Sequence, residues 1–421
     1  MSQNLVRLGI VLLIVALWTE NLEISFLVSI GVLFLNFSTK LSKETFTITS
    51  ILFGLLGIGL LSLFTFDGGI YDFVKDFVYF LRPITVLLAV YFSVKNLEKK
   101  TDFFNLLVLT GFAFAFIHIV HISVEIIGMR PNVEKFRNKF GRFNHVEMLA
   151  LFSVICVKGI PVKKTRLKVL YQFFVLCLTI SFLLYFSRTM MVVLVLMVLG
   201  YYGYLKLNAR GAIALFGMFV MGGLFILFLS QYEPTETKDP GLISTFLTKM
   251  KNSYTETLEP IKFDKNQLDR RELWPRWRAY EASLVWNEVN EEKSWFTGKG
   301  FGSTVDVGFD IFLQGEEIRH LPTVHNGVAY VYMKTGLIGL LVYLSMIGML
   351  YMQYYKEESI GNNVSFNRLL VGCAFYIFAS SLVVTGIFKP YDMATFLIGG
   401  ILALKQYNDF ENRNIRDEGN S

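Results

Sequence analysis

The chain has 421 residues, of which 53% are hydrophobic and 18% charged, with a mean hydropathy of +0.47 and a formal net charge of +6. That balance is too apolar for a soluble globular protein and identifies a polytopic membrane protein. The positive charge lies largely in short loops, where topology determinants lie, and no basic tail or zinc pattern accompanies it, which excludes nucleic acid as a partner. Cys156, Cys177 and Cys373 fall inside apolar runs. They read as small buried hydrophobes, with neither a disulfide framework nor a metal cluster implied.

Crossing a bilayer takes about 20 mostly apolar residues. On that basis the sequence predicts an all-α integral membrane protein with about twelve transmembrane helices. They lie near 5–19, 22–37, 46–66, 77–95, 104–127, 146–160, 168–186, 189–206, 211–231, 325–354, 367–386 and 390–405. The organisation expected is an N-terminal block of about nine helices over 1–230, a long loop over 231–324, a C-terminal block of about three helices over 325–406 and a tail over 407–421 that needs no fixed structure. The apolar run after Arg7 lacks a small-residue cleavage site before Glu20 and reads as a retained first span.

Lysines and arginines set the orientation. Lys40 and Lys43, then Lys95, Lys99 and Lys100, then Lys158 to Lys168, then Lys206 and Arg210 fall in alternate connections, which are therefore cytoplasmic, as are both termini. The intervening connections carry Glu20 and Glu23, or Asp67, Asp72 and Asp76, and are poor in basic residues.

The connection MRPNVEKFRNKFGRFNH, residues 129–145, breaks this pattern. It should be extracytoplasmic, yet it holds Arg130, Lys135, Arg137, Lys139 and Arg142. Basic residues retained against the topology rule point to an anionic ligand at the outer face.

The 231–324 loop is also expected on the outer side. Ile243, Phe246, Leu247, Met250, Tyr254 and Leu258 recur at helical spacing and predict an amphipathic helix on the membrane surface. RRELWPRWRAYEASLVWNEV predicts a second helix, with Trp274, Trp277 and Trp286 among Arg270, Arg271, Arg276 and Arg278. Its tryptophans fit interfacial anchors, or alternatively platforms for sugar stacking.

Four further features bear on chemistry. Arg188 follows Ser187 at the hinge of two apolar segments, where a guanidinium is costly unless it snorkels or has a partner; its planar fork suits a phosphate. WFTGKGFGSTVDVG lacks the strand and helix of a dinucleotide fingerprint, and reads instead as a tight turn bringing backbone amides near a ligand. His325, with Asn326 beside it, opens the tenth span at the outer rim; a neutral imidazole there can take up a proton near neutral pH, or simply cap the helix. His118, His121 and Glu125 share one helix face, as a proton relay, an outer-cleft lining or a polar seam between helices would.

Ser187-Arg188 at the start of a span, GRFNH at 141–145, a long outer loop ending in GKGFG, and then HNGVAYVYMKTGLIGLL occur in an order that resembles the O-antigen ligase and Wzy-type polysaccharide polymerase superfamily, over residues 130–345. The resemblance implies a GT-C-like helical fold and a glycosyltransferase working at the extracytoplasmic face of the bacterial inner membrane, with no metal, nucleotide sugar or other cofactor. It implies an undecaprenyl-diphosphate-linked glycan as donor, a sugar or the lipid A core as acceptor, membrane lipids around the chain, and a chain-length regulator protein as a further partner. Carried over by position, Arg188 and Arg276 or Arg278 grip the diphosphate, Arg142 supports it, and His325 is the catalytic base; Asn326 and Glu125 are supporting candidates. The absence of an Asp-x-Asp pair or a His/Cys cluster agrees with metal-independent chemistry. A flippase or exporter of lipid-linked glycans is the alternative, since it also needs outer-face arginines, and a proton-coupled transporter using the His118–Glu125 face ranks last.

Overall fold

All twelve predicted apolar stretches form helices in the computed structural model, which describes residues 2–64, 69–128, 144–157, 168–232, 247, 277–313, 316–356 and 365–419. The N-terminal block comprises α1 (Gln3–Trp18), α2 (Leu22–Asn36), α3 (Lys43–Leu60), α4 (Ile70–Asn96), α5 (Asp102–Gly128), α6 (His145–Cys156), α7 (Lys168–Leu184), α8 (Arg188–Tyr202) and α9 (Ala209–Gln231). In the loop region lie α10 (Trp277–Glu291) and an antiparallel hairpin of β1 (Val305–Leu313) and β2 (Glu316–Leu321). The C-terminal block is α11 (Gly327–Tyr351), α12 (Phe366–Val383) and α13 (Ala394–Gly419). Side-chain oxygens start many of these helices: Asn21, Ser42, Asn208, Asn326 and Ser365 each accept a first-turn amide.

Among the described residues, six helical segments are long and apolar enough to cross a membrane: Lys43–Leu63, Ile70–Asn96, Asp102–Glu125, Ala209–Leu229, Gly327–Tyr355 and Phe366–Val383. The chain is a helical membrane protein. Five further apolar helices are shorter, at 10–17 residues. Two expectations change. The hairpin adds a β element to a fold expected to be all helical, because Val305–Leu313 alternates in-facing Val305, Val307 and Ile311 with exposed or part-exposed Asp306, Phe312 and Asp310. The tail expected to be without structure instead continues α13 to Gly419.

The loop between α10 and β1 is sewn into the bundle. Phe301 is buried between α3 and α4, with its ring centroid 4.8 Å from Phe80 and 6.0 Å from Phe73. Its amide donates to Ser62 Oγ at 2.9 Å, and that of Gly302 to Asp76 Oδ2 at 2.8 Å. The turn predicted from the glycines is therefore real, but these amides are spent on the protein's own side chains. Asp76 also accepts from Lys334 Nζ at 2.6 Å and from the Tyr330 hydroxyl at 3.0 Å, so a fully buried ion pair joins α4, α11 and the loop.

Gly336 breaks α11. Its φ of 63° and ψ of −163° lie in a region open essentially only to glycine. The amides released there are taken up by the loop: Leu337 N donates to Trp295 O at 2.7 Å and Ile338 N to Phe296 O at 3.2 Å, while Lys299 N donates to Met333 O at 2.7 Å. A Cβ on Gly336 would also lie 2.4 Å from the backbone of Phe296 and Gly298. Gly336→Ala is expected to cost about 1–3 kcal/mol from backbone strain alone. A thermal melt of the detergent-purified protein should show the loss, and an unchanged Tm would mean that the loop does not depend on this break.

The two ends of the bundle differ in chemistry. At one end, Gln3 Nε2 donates to Asn96 O, Arg7 pairs with Asp102 at 2.7 Å, and Glu44 takes both Lys356 and Lys405 at 2.7 Å. A cavity of about 560 Å³ at this end is lined by Glu44, Gln353, Lys356, Lys405 and Asp409. At the other end gather Glu20, Asp76, Glu281, His325 and the segment joining α12 to α13.

Candidate active site

Glu281 lies on α10 with its side chain 1% exposed, a placement that requires hydrogen-bond partners. It has three. Trp277 Nε1, one turn earlier, donates to Oε1 at 2.6 Å, and the His325 amide donates to Oε2 at 2.8 Å. The third is the imidazole: His325 Nδ1 lies 3.0 Å from Oε1 and 2.9 Å from Oε2. A carboxylate can only accept, so Nδ1 carries a proton, and in the neutral imidazole Nε2 is left with a lone pair. The His325 side chain is 45% exposed and Nε2 has no partner among the described residues. The arrangement is a buried carboxylate holding an accessible imidazole in one orientation.

Asn326 has a different task. Its Oδ1 accepts from Ala329 N at 3.0 Å and its Nδ2 donates to Leu382 O at 3.3 Å, so it, and not His325, caps α11 while fastening α11 to α12. The His325 loop is further tied to the α12–α13 segment by Gly327 N to Val384 O at 3.2 Å and by Thr385 Oγ1 to Val324 O at 2.8 Å.

Among the arginines, Arg278 projects from α10 one turn before Glu281, exposed, and its charge reaches Lys389 in the α12–α13 segment. Arg188 is the first residue of α8 and is part-buried. Gly200 near the far end of α8 packs on Gly372 and Phe375, and the neighbouring Tyr201 hydroxyl hydrogen-bonds the backbone of Ser365 at the start of α12, so α8 runs antiparallel to α12. Twelve residues of helix, about 18 Å at 1.5 Å per residue, then carry Arg188 to the end where α12 delivers the chain to the His325 loop. Arg142 and Arg276 lie outside the described residues, as do Trp274 and almost all of the amphipathic stretch from Ile243 to Leu258.

The His118 face is divided. His118 is buried, with Nδ1 2.8 Å from Ser181 Oγ and its ring stacked 3.8 Å from Tyr185, while His121 is exposed and Glu125 part-exposed. Tyr185 in turn donates to Glu147 at 3.0 Å, and Glu147 is fully buried. His145, from GRFNH, is buried with Nδ1 2.6 Å from the Tyr376 hydroxyl. These contacts join α5 to the end of α7, α7 to α6, and α6 to α12. Of the tryptophans, Trp277 positions Glu281, and Trp286 stacks on Tyr332 at 4.1 Å while 44% exposed.

Residues 173–344 match the family model described as O-antigen ligase, about two-fifths of the chain. That stretch contains Arg188, Arg278, Glu281 and His325. Over that stretch the chain is similar to the O-antigen ligase family. No curated protein matches the chain.

Sequence reasoning passed over Glu281, Lys389, Arg82 and the Asp76–Lys334 pair. Arg82 and Lys334 carried a signal, being charges in the middle of apolar spans. Glu281 carried none, since it sits in a polar segment where a charge is unremarked; Lys389 carried the same signal as the basic residues of 129–145, a cation in a short connection expected on the outer side.

Proposed function

We propose that the protein is a glycosyltransferase that moves an oligosaccharide from a polyprenyl diphosphate to a sugar acceptor at the extracytoplasmic face of the bacterial inner membrane. The observation that carries this reading is the Glu281–His325 pair, with Nε2 open, within the O-antigen ligase region. The basic connections at the Gln3 and Lys356 end support a cytoplasmic location for both termini and up to twelve spans in a GT-C-like arrangement.

In the reaction, an acceptor hydroxyl attacks the anomeric carbon as its proton passes to His325 Nε2. The bond from that carbon to the diphosphate oxygen breaks, and the diphosphate leaves with the electron pair. Arg188 and Arg278, with Arg142 and Arg276 from the neighbouring segments, stabilise the charge that grows on the leaving oxygens, which lowers the transition state more than the ground state. Glu281 fixes the tautomer and offsets the imidazolium once it forms. Nothing in these steps calls for a metal.

The test is reconstitution of the full chain with a lipid-linked oligosaccharide and alternative acceptors. Transfer is expected to survive chelator. Arg188→Lys keeps the charge but loses the paired hydrogen bonds of the fork, and is expected to reduce transfer sharply at normal protein level. A Lys variant as active as wild type would remove the diphosphate role from Arg188. Use of a second lipid-linked glycan as acceptor marks a polymerase, and use of lipid A core marks a ligase. Translocation of the lipid-linked glycan with no transfer would replace this reading with that of a flippase.

A further inference from the structure

The segment between α12 and α13 is held more firmly than a surface connection requires. Arg82, fully buried on α4, donates to the carbonyls of Ile387, at 2.7 Å, of Pro390, at 2.6 Å, and of Lys389 itself. Phe388 is buried, 4.4 Å from Phe80 and 5.8 Å from both Tyr330 and Tyr343. Gly386 turns the chain with a φ of 62°. The backbone of Lys389 is thus pinned from below, and the hydrogen bonds from Gly327 and Thr385 lock the same segment against the His325 loop.

Above this support the Lys389 side chain is part-buried and within electrostatic reach of Glu281, Glu20 and Arg278. Burial lowers its pKa, and the two carboxylates act in the opposite sense. Yet its ammonium makes no hydrogen bond or ion pair among the described residues. The acids nearby have other duties: Glu281 is filled by Trp277 and His325. A cation held rigidly beside a general base, with Arg278 adding a second positive charge instead of a neutralising one, lacks only an anion.

We infer that Lys389 is a donor-binding residue whose ammonium pairs with the diphosphate of the lipid-linked substrate, together with Arg278, on the face of the site that holds His325. This rests on the function proposed above. As a point charge with three donors, Lys389 complements the planar forks of the arginines and can follow the oxygens as the leaving group departs.

The experiment measures binding of a short-chain prenyl diphosphate to the detergent-purified full chain by calorimetry, alongside transfer in proteoliposomes. Lys389→Ala and Lys389→Gln are expected to weaken binding about tenfold or more, the loss of one charge-assisted contact, and to raise KM for the donor. Lys389→Arg should restore most of both. His325→Ala should bind like wild type while failing to transfer. Wild-type affinity in both neutral variants, or failure of the wild type to bind the probe, overturns the inference. So does a fall in kcat with donor affinity unmoved, which would make Lys389 a partner of Glu281 only. If the wild type binds the probe and the variants do not, but no glycan is transferred, the function reading fails and the diphosphate site stands.

Discussion

His325→Ala is expected to abolish glycan transfer, and Glu281→Gln to lower kcat by about 10²- to 10⁴-fold, the range that a positioned general base contributes. The glutamine keeps the shape of the side chain but removes the charge that faces the imidazolium. It can also turn its amide N–H₂ toward a donor, leaving Trp277 Nε1 or His325 Nδ1 without an acceptor. Because the two residues act as one unit, the double variant should be no slower than His325→Ala alone. Donor binding should survive in all three, since the proposed diphosphate contacts come from the cationic side chains. Turnover near wild type in His325→Ala would remove the base assignment. Glu147, the next carboxylate near this end, would then be a poor replacement, because it is fully buried beneath Tyr185. Turnover near wild type in Glu281→Gln alone would leave His325 as a base that needs no orienting acid.

Lys334→Met is expected to destabilise the fold by about 3–5 kcal/mol, the cost of leaving one member of a buried ion pair without the other. Asp76 would keep its bonds from Tyr330 and Gly302 but lose its counter-charge in a fully buried site. Asp76→Asn should be similarly damaging, because Lys334 would then be the uncompensated charge, left with neutral acceptors such as the Ser303 carbonyl. The double variant Asp76→Asn/Lys334→Met should lose less than the sum of the two, since neither charge is stranded. The measurement is the melting temperature in detergent, with limited proteolysis of the loop as a second readout. Protection of the loop should fall together with Tm, because Phe301 and Gly302 are anchored through this pair. A single variant within about 1 kcal/mol of wild type, the usual worth of a surface pair, would show that the loop is held by Phe301 and the Gly336 break instead.

The helices were legible because spanning a bilayer is a local demand. Each backbone polar group must be satisfied within its own segment, so a run of apolar residues forms a helix wherever it is long enough. The run predicted at 325–354 is Gly327–Tyr351 and that at 22–37 is Leu22–Asn36. His325 was legible for a related reason: polar chemistry at the end of an apolar segment is conspicuous, whereas Arg278 stood out only as one of a cluster of arginines and tryptophans.

The site itself was decided by tertiary structure. Glu281 and His325 are 44 residues apart, and only the packing of α10 against the start of α11 makes one the acceptor of the other. Arg82 and Lys389 are 307 apart, and the apolar stretch around Arg82 gives no hint that its guanidinium holds a connection near the far end of the chain. The glycine-rich turn shows the same division. Its sharp geometry followed from its glycines, whereas the destination of its amides depended on Ser62 and Asp76, more than 200 residues earlier. Sequence determines where a membrane chain must be helical and which charges are out of place, because solvation acts on each segment separately; which charges meet is fixed by hydrogen bonds across the fold, because direction and distance exist only once the helices pack.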